Sequence, residues 1–157
     1  MITDATLVFS TLQAITATAP STDVSDLANQ SDPGIGDCPL DFYIYVGTAF
    51  GSADGTATLQ VQVQGAPDNG SGAPGSYVTI TETDLMTVAQ LVAQAEIPIS
   101  LTHRSLAQVK ALYRFLRLNY VVGTESFNAG TISAGLVINR DSGLTMGQYP
   151  KNYTVAP

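Results

Sequence analysis

One histidine, His103, and one cysteine, Cys38, are the only imidazole and thiol in the 157-residue chain, so nucleophilic or acid–base catalysis has few carriers. A Ser-His-Asp relay would have to be assembled around His103, and no Gly-x-Ser-x-Gly turn presents a serine to it. Next to Arg104, at the end of an expected strand, His103 reads as a structural or solvated residue. Cys38 lies between Asp37 and Pro39, and no spacing in the sequence ties it to His103 as a thiolate pair. Asp23, Asp26, Asp32 and Asp37 fall in a loop-rich stretch whose oxygens suit Ca²⁺, yet the D-x-[DN]-x-[DN]-G pattern is absent and turns and caps are the favoured explanation. Glu82, Glu96 and Glu125 have no context marking a glycosidase pair, and Gly34-Ile35-Gly36 lacks the third glycine and following helix of a dinucleotide site. The expectation is a protein that is not an enzyme and holds no cofactor or metal.

Charge narrows the partners. The first 103 residues contain eleven acids and no base, and all six bases (Arg104, Lys110, Arg114, Arg117, Arg140, Lys151) follow. The total of −7 opposes nucleic-acid binding, which rests on neutralising phosphates with Lys and Arg. Charged residues make up 12% of the chain against a usual value of about 25%, while 45% is hydrophobic, which excludes intrinsic disorder. Such a surface must be covered with Thr, Ser, Gln and Asn, or be hidden against a partner. Residues 1–10 lack the basic and apolar regions of a secretory signal, and no apolar run approaches the roughly 20 residues that span a membrane. The chain is therefore expected to stay in the cytoplasm in which it is made. With one cysteine there is no intrachain disulfide, and the glycosylation patterns at Asn29, Asn69 and Asn152 are attributed to chance.

The elements that position these residues follow period two. Over 56–64 the sequence TATLQVQVQ sets Ala57, Leu59, Val61 and Val63 against Gln60, Gln62 and Gln64, a half-buried antiparallel strand. Residues 77–82 and 131–139 repeat the pattern, 40–46 is aromatic and β-branched, and 113–122 sets Leu116, Leu118, Tyr120 and Val122 against Arg117 and Asn119. A strand or two within 6–18 and an edge strand at 96–101, marked by Pro98, bring the total to about eight. Leu85, Val88, Ala89 and Val92 have helical spacing behind Asp84, so a short helix is expected within 84–94, with another around 105–111. Turn-rich breaks at 31–39, 65–76 and 122–130 complete an all-β sandwich or barrel.

Beyond Asn139 no period is sustained. Tyr149 and Tyr153 are spaced among glycine, proline and polar residues, so 140–157 reads either as a tail or as an interaction arm appended to a domain of 1–139. Tyr43, Tyr45, Tyr149 and Tyr153 also keep open a sugar-binding sandwich, since sugars stack on aromatic rings; ordinary sheet packing competes at Tyr43 and Tyr45.

The run Tyr113-Arg-Phe-Leu-Arg-Leu-Asn-Tyr120, then Phe127-Asn-Ala-Gly-Thr-Ile-Ser-Ala-Gly-Leu-Val-Ile-Asn139, with the Thr/Ala-rich opening at 12–22 and the turn Asp32-Pro-Gly-Ile-Gly36, resembles the jelly-roll capsid cement (decoration) proteins of tailed bacteriophages. The resemblance touches most of 4–139 in the family's order. It implies a jelly-roll β-sandwich with at most one or two short helices and no catalytic residue. It also implies a homotrimer bound outside an expanded icosahedral head, clamping neighbouring major capsid proteins. The chain is then made in the host cytoplasm and resides on the virion exterior. Arg114 and Arg117 match the family motif, and with Arg140, Tyr149, Lys151 and Tyr153 they form the expected interface. The neutral alternative for the two arginines is pairing with Asp across the sheet. The 103–111 connector and the arm after Arg140 are longer than the family pattern. The competing function is a glycan-binding module of a phage adhesion structure, with a hydrolase third.

Overall fold

Alternation becomes burial. The computed structural model describes residues 7–27, 40–99 and 112–138. Along β5 (Thr58–Ala66) the side chains of Leu59, Val61 and Val63 are fully enclosed, while Gln60, Gln62 and Gln64 on the opposite face are half-buried. Strand β8 (Phe115–Gly123) does the same with Leu116, Leu118 and Tyr120 inward and Arg117 and Asn119 outward. The remaining strands are β1 (Val8–Ala14), β2 (Ala19–Pro20), β3 (Ser25–Asp26), β4 (Leu40–Ser52), β6 (Val78–Glu82), β7 (Met86–Thr87) and β9 (Phe127–Ile138). All pairings are antiparallel.

Two sheets result, one ordered β1-β9-β4 and the other β2-β8-β5-β6, with β3 also on β8 and β7 also on β5. Beyond β4 the backbone of 94–97 occupies a fourth position: Val46 N–H donates to Ala95 O at 2.9 Å, Gln94 N–H to Val46 O at 2.8 Å and Ile97 N–H to Ile44 O at 2.9 Å. With β2/β3 and β6/β7 each counted as one position, the chain passes through eight, arranged 1-8-3-6 and 2-7-4-5. That interleaving of two Greek keys is the jelly-roll order. Both inner faces feed one core, which includes Phe42, Ile44 and Val46 from one sheet and Leu59, Val61, Leu116, Leu118 and Tyr120 from the other.

Three sequence expectations change. The strand at 96–101 shortens, among the described residues, to the Tyr45–Glu96 bridge and its flanking hydrogen bonds, because Pro98 has no N–H to extend the ladder. The helix within 84–94 is a single 3₁₀ turn, Val88–Gln90, following β7. It is capped by Thr87, whose N–H donates to Gln90 Oε1 at 2.9 Å, and not by Asp84. Leu85 and Val92 are 62% and 53% exposed while Leu91 is buried, so the helical stripe never forms. The break at 122–130 contracts to 124–126, because β8 runs to Gly123 and β9 starts at Phe127. The second helix, at 105–111, lies outside the described residues, as do Cys38, His103 and the segment 140–157. Among the described residues no helix is long and apolar enough to cross a membrane.

One polar link crosses the core. Tyr120 on β8 is fully buried and its hydroxyl lies 2.8 Å from Ser10 Oγ on β1. Ser10 donates its own hydrogen to Gln13 Oε1 at 2.7 Å, so the phenol is the donor to Ser10. Burial pushes the Tyr120 phenol above its ordinary range. Removing the hydroxyl with Tyr120→Phe is expected to cost about 1 kcal/mol in a urea melt, a typical net value for a hydrogen bond.

Candidate functional site

The outward face of the larger sheet is where the undercharged surface collects. Period two sends Gln62, Gln64, Arg117 and Asn119 to the same side, and the antiparallel register sets Gln62 opposite Asn119 and Gln64 opposite Arg117. Asn119 Nδ2 donates to Gln62 Oε1 at 3.1 Å, Gln62 Nε2 to Glu82 Oε2 at 3.0 Å, and Gln64 Nε2 to Gln62 Oε1 at 3.2 Å. Arg117 Nε donates to Gln64 Oε1 at 2.9 Å, and its guanidinium lies 3.6 Å from the centre of the Tyr77 ring, close enough for a cation–π contact. These bonds hold long side chains down against the sheet, which lowers the ordering entropy still to be lost when another surface covers them. Among the described residues the face carries Arg117 and Glu82 as its charges, amides from Gln60, Gln62, Gln64 and Asn119, and apolar surface from Val121, which lies opposite Gln60, and from the Tyr77 ring. The Tyr77 hydroxyl is buried without a hydrogen-bond partner among the described residues.

Arg114 sits beside this face and behaves differently. Its Nε and Nη2 make a two-pronged contact with Asp26 at 2.9 and 2.7 Å, tying β3 to β8, and Nη1 bonds Asp68 in the β5–β6 loop. Thus one of the two expected interface arginines has the cross-sheet Asp pairing. Arg117 has amide and aromatic partners instead. Arg140, Tyr149, Lys151 and Tyr153 lie outside the described residues. Asp68 and Asp26 join the cluster from 46 and 88 residues away in sequence, which no local pattern announces.

Asp68 has a second task. Its Oδ1 accepts the Gly70 and Gly72 N–H groups at 2.7 and 3.0 Å. These backbone bonds, Gly70 first, and then Arg114 hold the carboxyl below its ordinary value of 3.8. A depressed carboxylate stabilises the fold above its unfolded pKa and loses that contribution as pH falls through the folded value. The Gly70 and Gly72 amide resonances are therefore expected to stay unchanged from neutrality down to about pH 4 and to shift together below it. A shift with its midpoint at or above the ordinary value of 3.8 would show that the carboxylate is not so held.

Among the described acids, Glu125 is structural. Glu125 Oε1 accepts the Ala53 and Asp54 N–H groups at 3.1 and 3.2 Å, and Oε2 the Thr56 hydroxyl at 3.3 Å, so it closes the β4–β5 turn. Among the described residues no three His, Cys, Asp or Glu groups converge as a metal site. Asp26 is engaged by Arg114, and Asp32 and Asp37 lie outside the described residues. Tyr43, on the outer face of the smaller sheet, is only 8% exposed because its ring covers Gly135; a Cβ there would meet the Tyr43 ring at 2.6 Å. That leaves little ring surface for a sugar. Its neighbour Tyr45, 6.3 Å away between centroids, is half-buried.

Fold and surface together define an antiparallel jelly-roll sandwich whose most organised polar surface is a self-bonded amide sheet. The sequence model of the Bbp16 family matches residues 9–136, and the chain belongs to that family. No curated protein matches it.

Proposed function

We propose that the chain is a structural virion protein: a cement, or decoration, protein that binds as a homotrimer outside an expanded phage head and braces contacts between major capsid proteins. The observation that carries this reading is the Gln62–Gln64–Asn119–Arg117 face, pre-ordered by its own hydrogen bonds and nearly free of charge. Such a face loses little on desolvation against a like face, since amides exchange partners at small net cost while bare charges do not. The jelly-roll order, which viral capsid domains also use, and the resemblance carried by 113–139 support it. A protein that binds only the expanded shell stabilises it by mass action.

Charge supports a further component. Both described cations are engaged within the chain, Arg114 by Asp26 and Asp68 and Arg117 by Gln64 and Tyr77, whereas Arg104, Lys110, Arg140 and Lys151 lie outside the described residues. Contacts between those bases and the acidic sandwich of a sister chain should be screened at ionic strengths whose Debye length falls below about 8 Å.

Light scattering on the purified protein, with co-sedimentation on expanded and unexpanded heads, tests the proposal. A trimer that pellets with expanded heads, and dissociates progressively as salt rises, is expected. A monomer that leaves expanded heads bare sinks it.

A further inference from the structure

The loop between β5 and β6 holds chemistry that the interface reading does not use. Asn69 precedes Gly70, whose φ of +90° places it in the left-handed region and whose missing Cβ leaves its nitrogen unshielded. The Asn69 side-chain oxygen accepts the Ser71 N–H at 2.9 Å and the Ser71 hydroxyl at 2.7 Å. That bond closes a ring that contains both the Asn69 amide carbon and the Gly70 nitrogen. The Gly70 N–H in turn donates to Asp68 Oδ1 at 2.7 Å. A nucleophile, a carboxylate on its proton and two donors on the electrophile's oxygen thus come from four consecutive residues, all exposed to water.

We propose that Asn69 is a self-modification site at which the loop forms a succinimide and deamidates. The Gly70 nitrogen attacks Asn69 Cγ as its proton passes to Asp68 Oδ1, and the new N–Cγ bond pushes an electron pair onto the amide oxygen. Ser71 N–H and O–H hold that oxyanion. Asp68 returns the proton to the amide nitrogen, the Cγ–Nδ2 bond breaks, and ammonia leaves. Water then opens the ring at either carbonyl to give aspartate or isoaspartate at position 69. No oxidant or cofactor enters, and the only co-reactant is water. The product carboxylate adds a negative charge next to Asp68, in the loop that Arg114 ties to β8.

Timed peptide mapping of the full-length folded protein at neutral pH tests this, scoring amide-to-acid conversion at Asn69 and isoaspartate by enzymatic methylation. Asn69 is expected to convert faster in the folded chain than in the same chain kept in urea. Asp68→Asn and Ser71→Ala should each slow it by about tenfold or more, with circular dichroism confirming the fold. Faster conversion in urea, or variants that both convert within about threefold of the parent, overturns the proposal.

Discussion

Truncating Phe42 to alanine should lower the unfolding free energy by about 3–5 kcal/mol, the cost of lost transfer energy plus an unfilled cavity. Phe42 on β4 and Phe9 on β1 are both fully buried, with ring centroids 5.9 Å apart in a stacked arrangement. The two strands do not pair directly; β9 lies between them in the sheet, so the rings bridge over it. A hole there removes contacts on both sides of the central strand, and ordered strands cannot collapse to refill it without breaking register. Domains of this kind hold only about 5–15 kcal/mol in total, so the variant should melt roughly 10 °C or more below the parent. Phe9→Ala should cost a similar amount, and Phe9→Ala/Phe42→Ala less than the sum, since each single change already forfeits the shared contact. Urea melts of the three variants measure this. Strict additivity would show that the rings do not support one another.

The parts of this structure legible in sequence are those where one strand alternates against one core. At 57–63 four alternate apolar residues predicted four buried side chains, and all four are fully enclosed. Leu116, Leu118 and Tyr120 behaved alike, though Val122 is only half-buried at the end of β8. The sequence pattern misleads where the chain changes sheets. Between Thr87, paired to Thr58 on β5, and Gln94, bonded to Val46 on β4, it must cross from one sheet to the other. Six intervening residues leave no room for a helix with its own apolar face, and the spacing of Leu85, Val88 and Val92 was coincidence. The Arg114 clamp was invisible for another reason: Asp26 and Asp68 reach it through topology, and proximity of that kind leaves no period. Glu125 has no sequence context that marks it, although hydrogen bonds from three donors, the Ala53 and Asp54 N–H groups and the Thr56 hydroxyl, let it organise a turn.

The amide face, by contrast, was legible as Gln60, Gln62 and Gln64, and its assignment as an interface has a sharp consequence. Gln62→Lys places a cation at the centre of that face. In the isolated chain the new ammonium lies near Glu82, which now accepts from Gln62 Nε2 at 3.0 Å, while the Asn119 and Gln64 amides that donate to Gln62 Oε1 turn to water, so the fold should lose no more than about 1 kcal/mol. In a covered face the ammonium is desolvated together with Glu82 and Arg117, so two cations face one carboxylate, and that excess interfacial charge costs several kcal/mol, which is about 100-fold or more in association. Light scattering and head co-sedimentation should therefore show a dissociated, non-binding protein with unaltered circular dichroism and a melting temperature lowered by no more than about 4 °C. Thr48→Lys supplies the control, because Thr48 is exposed on β4 of the other sheet. It should associate like the parent. If Thr48→Lys abolishes association and Gln62→Lys leaves it intact, the smaller sheet is the one that meets the partner, and the pre-ordered amides serve only to brace β5 against β6 and β8.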